Sequence, residues 1–180
     1  MEADGLEAVL PRGVVLRDLE VHADPRGGLA EIYRQEWGLG EPAVQWNLVR
    51  TAPASLRGVH VHPRHADYLI VVSGVLRLGL HDVRPGSASF GLSAMVELDG
   101  DQPRLACVPP GVAHGFYFPA AATYVYGLSR GWSMAEELGC RWDDPELGFD
   151  WGASDPLLSE RDAAAGGYAG MAASFAAHRS

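Results

Sequence analysis

His60, in the run Leu56-Arg57-Gly58-Val59-His60-Val61-His62-Pro63, is the residue of this chain best suited to chemistry. Imidazole titrates near neutrality, so a histidine projecting inward from a strand can accept a proton or bind a metal ion. His62 lies two residues further on, and on a strand it points the same way. Taken singly, these residues do not choose between jobs, because an inward histidine is more often a hydrogen-bonded core residue. Tyr126 alone reads as a core tyrosine with a satisfied hydroxyl, and Asp162 alone as a helix cap or surface carboxylate. Arg26, in Asp24-Pro25-Arg26-Gly27, reads alone as a turn residue.

These groups need a scaffold, and the chain supplies strands. Short β-rich runs alternate with Gly/Pro turns and no repeat is evident, which is an all-β pattern. Ala43 to Val49 alternates apolar Val44, Trp46 and Leu48 with Gln45 and Asn47, so the two amides share one face. That face either meets a ligand or is the solvated side of an edge strand. Tyr68 to Val72 and Val75 to Leu80, joined at Ser73-Gly74, read as a hairpin with Leu76, Leu78 and Leu80 on one side. Pro109-Pro110-Gly111 is a turn, and Tyr124-Val125-Tyr126-Gly127-Leu128 a strand with both tyrosines on one face. Helical signal begins only at Ser159-Glu160-Arg161-Asp162. The Ala/Gly-rich tail from Ala163 to Ser180 reads as a loosely packed helix or a disordered segment. The expected architecture is a single domain, residues 1–180, forming a sandwich or barrel with ligand groups in its mouth.

Composition narrows the function classes. A chain of 180 residues with 47% hydrophobic content suits one domain with a sizeable core. A formal net charge of −9 repels phosphate backbones, so nucleic acid is excluded as an expected partner, and an anionic ligand must meet a local arginine cluster. The acidic start Met1-Glu2-Ala3-Asp4-Gly5 is unlike a secretory signal, and no apolar run approaches the roughly 18 residues of a membrane span. A cytoplasmic protein without a membrane partner is the expectation. Cys107 and Cys140 form no CxxC pair and read as reduced thiols.

Several segments, in order, resemble the dTDP-4-dehydrorhamnose 3,5-epimerase family of the cupin, or jelly-roll, superfamily. They are Asp24-Pro25-Arg26-Gly27 with Glu31, Gln45-Trp46-Asn47, Arg57-Gly58-Val59-His60, Arg84-Pro85-Gly86-Ser87 with Phe90-Gly91, Pro110-Gly111-Val112-Ala113-His114-Gly115-Phe116, Trp142-Asp143-Asp144-Pro145, and Leu158-Ser159-Glu160-Arg161-Asp162. The resemblance spans about Asp24 to Asp162. It implies an all-β cupin/jelly-roll β-sandwich barrel with short C-terminal helical segments, a homodimer, a nucleotide-linked 4-keto-6-deoxy sugar as ligand, and no required cofactor. The implied reaction is epimerisation, at two centres or one, by proton removal next to a ketone. Inversion needs a base on one side of the sugar, an acid on the other and a stabiliser for the oxyanion. By resemblance His60 is the base, Asp162 the carboxylate that orients it, and Tyr126 the acid. Arg57 and His114 would surround the sugar, Gln45 and Asn47 would hydrogen-bond the ligand, and Trp132 would line the site. Arg26 would meet the pyrophosphate and Glu31 the nucleotide end, across a dimer interface as in the family.

Three positions depart from the family pattern. Asp67 stands where the family carries a lysine that stabilises the enolate, Trp132 replaces a second tyrosine, and His62 replaces a glutamine. A carboxylate at Asp67 repels the charge that a lysine attracts. His60, His62 and Asp67, with His114 after Pro109-Pro110-Gly111, also resemble the metal-binding motifs of cupins. Three imidazoles and one carboxylate would hold a divalent transition metal with positions open for substrate. Three functions follow as alternatives: a sugar-nucleotide epimerase, a metal-dependent cupin isomerase or oxygenase, and a non-catalytic sugar-nucleotide binding protein. The epimerase is preferred, because a retained base, carboxylate and acid are hard to explain by binding alone.

Overall fold

The computed structural model describes residues 9–134 and 137–178. Alternating patterns and turn residues resolve into strands β1 (Val15–Asp18), β2 (Val21–Asp24), β3 (Gly27–Ala30), β4 (Gln45–Thr51), β5 (Ser55–Val61), β6 (Asp67–Ser73), β7 (Val75–Asp82), β8 (Ser93–Asp99), β9 (Arg104–Val108), β10 (Val112–Phe118), β11 (Ala122–Leu128) and β12 (Leu138–Gly139). Helices α1 (Glu160–Ala163) and α2 (Tyr168–Ala177) follow. One sheet runs β1-β9-β6-β11-β4 and a second runs β12-β5-β10-β7-β8, while β2 and β3 pair as a separate hairpin. All of these pairings are antiparallel, the jelly-roll arrangement expected for this all-β chain.

The main core lies between the sheets. Leu69 and Val71 of β6, Leu76, Leu78 and Leu80 of β7, Phe118 of β10 and Tyr124 of β11 pack there. The outer faces are covered as well. Tyr68, Ile70 and Leu105 lie beneath Tyr33, Trp37 and Leu39, while Val59 and Val61 of β5 lie beneath Trp151, Met171 and Phe175. Burial on both faces explains why the run Tyr68-Leu69-Ile70-Val71 is apolar without alternation.

Two readings of the sequence are corrected. β6 and β7 are not a hairpin: they belong to different sheets, and the chain crosses between them at Gly74, whose φ of +83° suits glycine. Alternation reports which face of a strand is buried and not which strand it pairs with. The tail, read as a loosely packed helix or a disordered segment, is helical over α2, and it is not loose: Met171 and Phe175 are buried. Alanine-rich composition hid two anchors whose spacing of four residues places both on one helix face.

β4 is an edge strand with an inverted pattern. Gln45 and Asn47 turn toward the interior, whereas Val44, Trp46 and Leu48 are exposed. Among the described residues, no helix is long and apolar enough to cross a membrane.

Candidate active site

β5 sets the geometry of a cavity of roughly 410 Å³ between the sheets. On a regular strand Arg57 and His60, three apart, would face opposite ways. Here both line the cavity, because β5 carries one extra residue opposite β10: His114 pairs with His60 but Phe116 with Arg57. The bulge falls at Gly58, which has φ +116° and lies against the backbone of β10. Val59 and Val61 are thereby turned to the outer layer, and Arg57, His60 and His62 to the cavity.

Asp162 arrives from a distant part of the chain. The segment before α1 pairs with the start of β5, Leu56 N–H donating to Leu157 O at 2.9 Å and Leu157 N–H to Ala54 O at 2.8 Å. Ser159 then caps α1 by accepting from Asp162 N–H at 3.1 Å. Asp162 is therefore not the cap; its side chain is buried, with Oδ1 2.7 Å from His60 Nε2 and Oδ2 3.4 Å from Gly58 N. Burial works to raise the Asp162 carboxyl, but the contact with His60, Ser159 and the Gly58 amide outweighs it and lowers the carboxyl to about 2. An ionised Asp162 accepts from His60 Nε2–H, which leaves Nδ1 as the lone-pair nitrogen. The Arg161 guanidinium also lies against the ring, 3.3 Å from Nδ1 and nearer to Nε2. One ring nitrogen cannot donate to a carboxylate and accept from a guanidinium together. The buried carboxylate holds the proton of Nε2, and Arg161 is retained by Glu137 Oε2 at 3.0 Å.

The opposite sheet contributes Tyr126, from β11, to the same cavity. Burial raises its phenol, the charges of Asp67 and Glu137 raise it further, and Arg57 works the other way. It is a protonated donor at neutral pH. Trp132 lines the opening and donates Nε1–H to Glu137 Oε1 at 3.1 Å.

The metal set read from sequence is brought together only in part. Ligand atoms of His62, Asp67 and His114 lie within 4.8 Å of one another, whereas His60 is drawn to Asp162. Burial pushes Asp67 well above the usual carboxylate range, reinforced by the charge of Glu137. Burial lowers His114 to about 4.

Other expected site residues sit elsewhere. Gln45 donates to Asn47 Oδ1 at 3.1 Å and accepts from Trp132 N–H at 3.0 Å, so both amides lie behind the opening, with Asn47 in register with Tyr126. Arg26 is exposed at the β2–β3 turn and bound to Asp24 at 2.6 Å; Glu31 is exposed beside Arg34. Neither lines this chain's own cavity. Glu137 and Arg161 do line it and were not singled out from sequence. Arg161 adjoins Asp162 in a quoted segment, while Glu137 stands in an irregular connection without a periodic signal.

The sequence profile of the dTDP-4-dehydrorhamnose 3,5-epimerases matches residues 10–169. A dTDP-4-dehydrorhamnose 3,5-epimerase of Pseudomonas aeruginosa is 36% identical over 159 residues, covering 83% of this chain and 87% of that protein. Among solved structures, the rmlC epimerase of Mycobacterium tuberculosis superposes with a TM-score of 0.84 at 29% identity, covering 96% of this chain and 90% of that one. A 3'-monoepimerase of Streptomyces bikiniensis, in complex with dTDP-quinovose, gives 0.83 at 30% identity, covering 91% and 88%.

Proposed function

From the premise that the chain belongs to the dTDP-4-dehydrorhamnose 3,5-epimerase family, we propose that it epimerises a dTDP-4-keto-6-deoxyhexose at carbon next to the ketone. The observation that carries this reading is the His60–Asp162 pair at 2.7 Å, facing a cavity to which the other sheet contributes Tyr126. A C–H beside a ketone is acidic because the carbanion delocalises onto oxygen, so the protein must supply a base, charge for the oxyanion and a second proton source. His60 removes the proton, and Asp162 stabilises the imidazolium that results. Arg57 stabilises the developing oxyanion, and Tyr126 returns a proton from the opposite side of the ring. Proton transfer of this kind uses no organic cofactor.

The pyrophosphate and nucleotide extend beyond this cavity. Arg26 and Glu31 act in trans, from a second copy of the chain in a homodimer. The reading is supported by their absence from the lining of their own cavity and by the exposed apolar side chains of Val44, Trp46 and Leu48 at and just before edge strand β4. Light scattering should give twice the 19.3 kDa chain mass. A cytoplasmic setting is supported by the free, buried thiols of Cys107 and Cys140.

Incubating the protein with dTDP-4-keto-6-deoxyglucose in deuterium oxide, followed by NMR, tests the activity. Deuterium should enter beside the ketone. Binding of dTDP with no incorporation would instead identify a non-catalytic sugar-nucleotide binder.

A further inference from the structure

Asp67 begins β6 on the cavity wall, buried, and its Oδ2 accepts no hydrogen bond. Two imidazole nitrogens nevertheless face that oxygen: His114 Nε2 at 3.3 Å and His62 Nε2 at 3.5 Å. His114 Nδ1 lies 3.1 Å from Val112 O, a partner to which it can only donate, so its Nε2 carries the lone pair. His62 Nδ1 lies 3.5 Å from Glu137 Oε1, a charge contact rather than a hydrogen bond, while its Nε2 is the ring nitrogen nearer Asp67. His114, held by a carbonyl behind it with its other nitrogen aimed at the shared point, has the arrangement of a metal-ligating histidine. The spacing agrees. Two ligands each roughly 2.0–2.1 Å from a tetrahedral ion stand about 3.4 Å apart.

We propose that His62 Nε2, His114 Nε2 and Asp67 Oδ2 form a site for one divalent transition-metal ion, with its remaining coordination positions open to the cavity. Two imidazoles and one carboxylate suit zinc, cobalt or nickel better than magnesium or calcium, which take oxygen ligands. His60 is outside the set, so the proton-transfer pair and the ion occupy the cavity together. Resting on the epimerase reading, an ion here would polarise the ketone oxygen as a Lewis acid.

The test is a calorimetric titration of the chelator-treated full chain with zinc, and separately with cobalt. The expected result is about one ion per chain, binding weakened by ~100-fold or more in Asp67→Asn and in His114→Gln, and retained in His60→Asn. No binding by the unaltered chain, or undiminished binding by both ligand variants, overturns the site. Should a variant fail to fold, the visible spectrum of cobalt bound to the unaltered chain decides: intense tetrahedral or five-coordinate bands support the site, and the weak spectrum of the hydrated ion overturns it. No substrate is needed. Binding without deuterium exchange would leave the site standing and remove the epimerase, and exchange without binding would do the reverse.

Discussion

Arg57 and His60 stand three positions apart on β5 and face one cavity, because the strand gains a residue at Gly58. A Cβ at Gly58 would lie 2.9 Å from both Gly115 Cα and His114 O, and φ +116° disfavours any side chain there. Gly58→Ala must therefore flatten the bulge or push β10 away. Strain of this kind costs about 1–3 kcal/mol. The variant should be destabilised by that amount in urea unfolding and should lose exchange activity even where it remains folded. Full activity with full stability would show that the bulge does not aim these side chains.

Tyr126 and His60 face the cavity from different sheets, so their losses should be distinguishable. Tyr126→Phe keeps the ring and removes the donor, while His60 can still take a proton and return one from solvent to the same side. Product formation should fall by ~10²–10⁴-fold, with deuterium still entering the unreacted sugar. His60→Asn should abolish both. Equal loss of exchange and inversion in Tyr126→Phe would argue against a phenol that acts only on the return.

The Asp162 carboxyl, held at about 2 in the folded chain, also links stability to pH. An unfolded aspartate titrates near 3.9, so the folded state favours the ionised form. Its contribution is complete above the unfolded value and is lost as pH falls through the interval down to about 2. Urea unfolding of the unaltered chain and of Asp162→Asn, compared at about pH 5 and about pH 3, should show a gap that narrows in acid. The same variant should lose ~10³–10⁴-fold in rate, since the amide cannot stabilise an imidazolium. A stability gap that widens in acid would contradict an ionised, hydrogen-bonded Asp162.

Much of this was legible in the chain because strand burial has a period of two. Leu76, Leu78 and Leu80 share the core as alternation requires, and Ser159 caps α1 where helical signal begins. What alternation cannot encode is partnership. β6 and β7 look like a hairpin but part company at Gly74, because nothing local states which sheet a strand joins. Read with a strict period, Arg57 opposes His60; the glycine between them was the only signal of a bulge. His60, His62, Asp67 and His114 were all legible as possible ligands, yet their division into a His60–Asp162 pair and a cluster of His62, Asp67 and His114 depends on Asp162, more than a hundred residues away. Glu137 binds Arg161 and Trp132 through contacts that follow no periodicity at all.

The tail offers a test of how the outer layer supports the site. Phe175 is 2% exposed and packs with Met171, Trp151 and the outward residues Val59 and Val61, on the strand whose other face carries His60. The turn before β10 leaves room for it: a Cβ on Gly111 would lie 2.7 Å from the Phe175 ring. Phe175→Ala removes an aromatic ring from a closed layer, a change that costs about 3–5 kcal/mol when the cavity cannot collapse. Chemical denaturation should show a loss in that range, whereas deletion of a loose tail would cost almost nothing. Exchange activity should decline with the folded fraction rather than separately, because Phe175 belongs to the outer layer with Val59 and Val61 and does not line the cavity. A variant as stable as the unaltered chain would mean that α2 is not anchored through this residue.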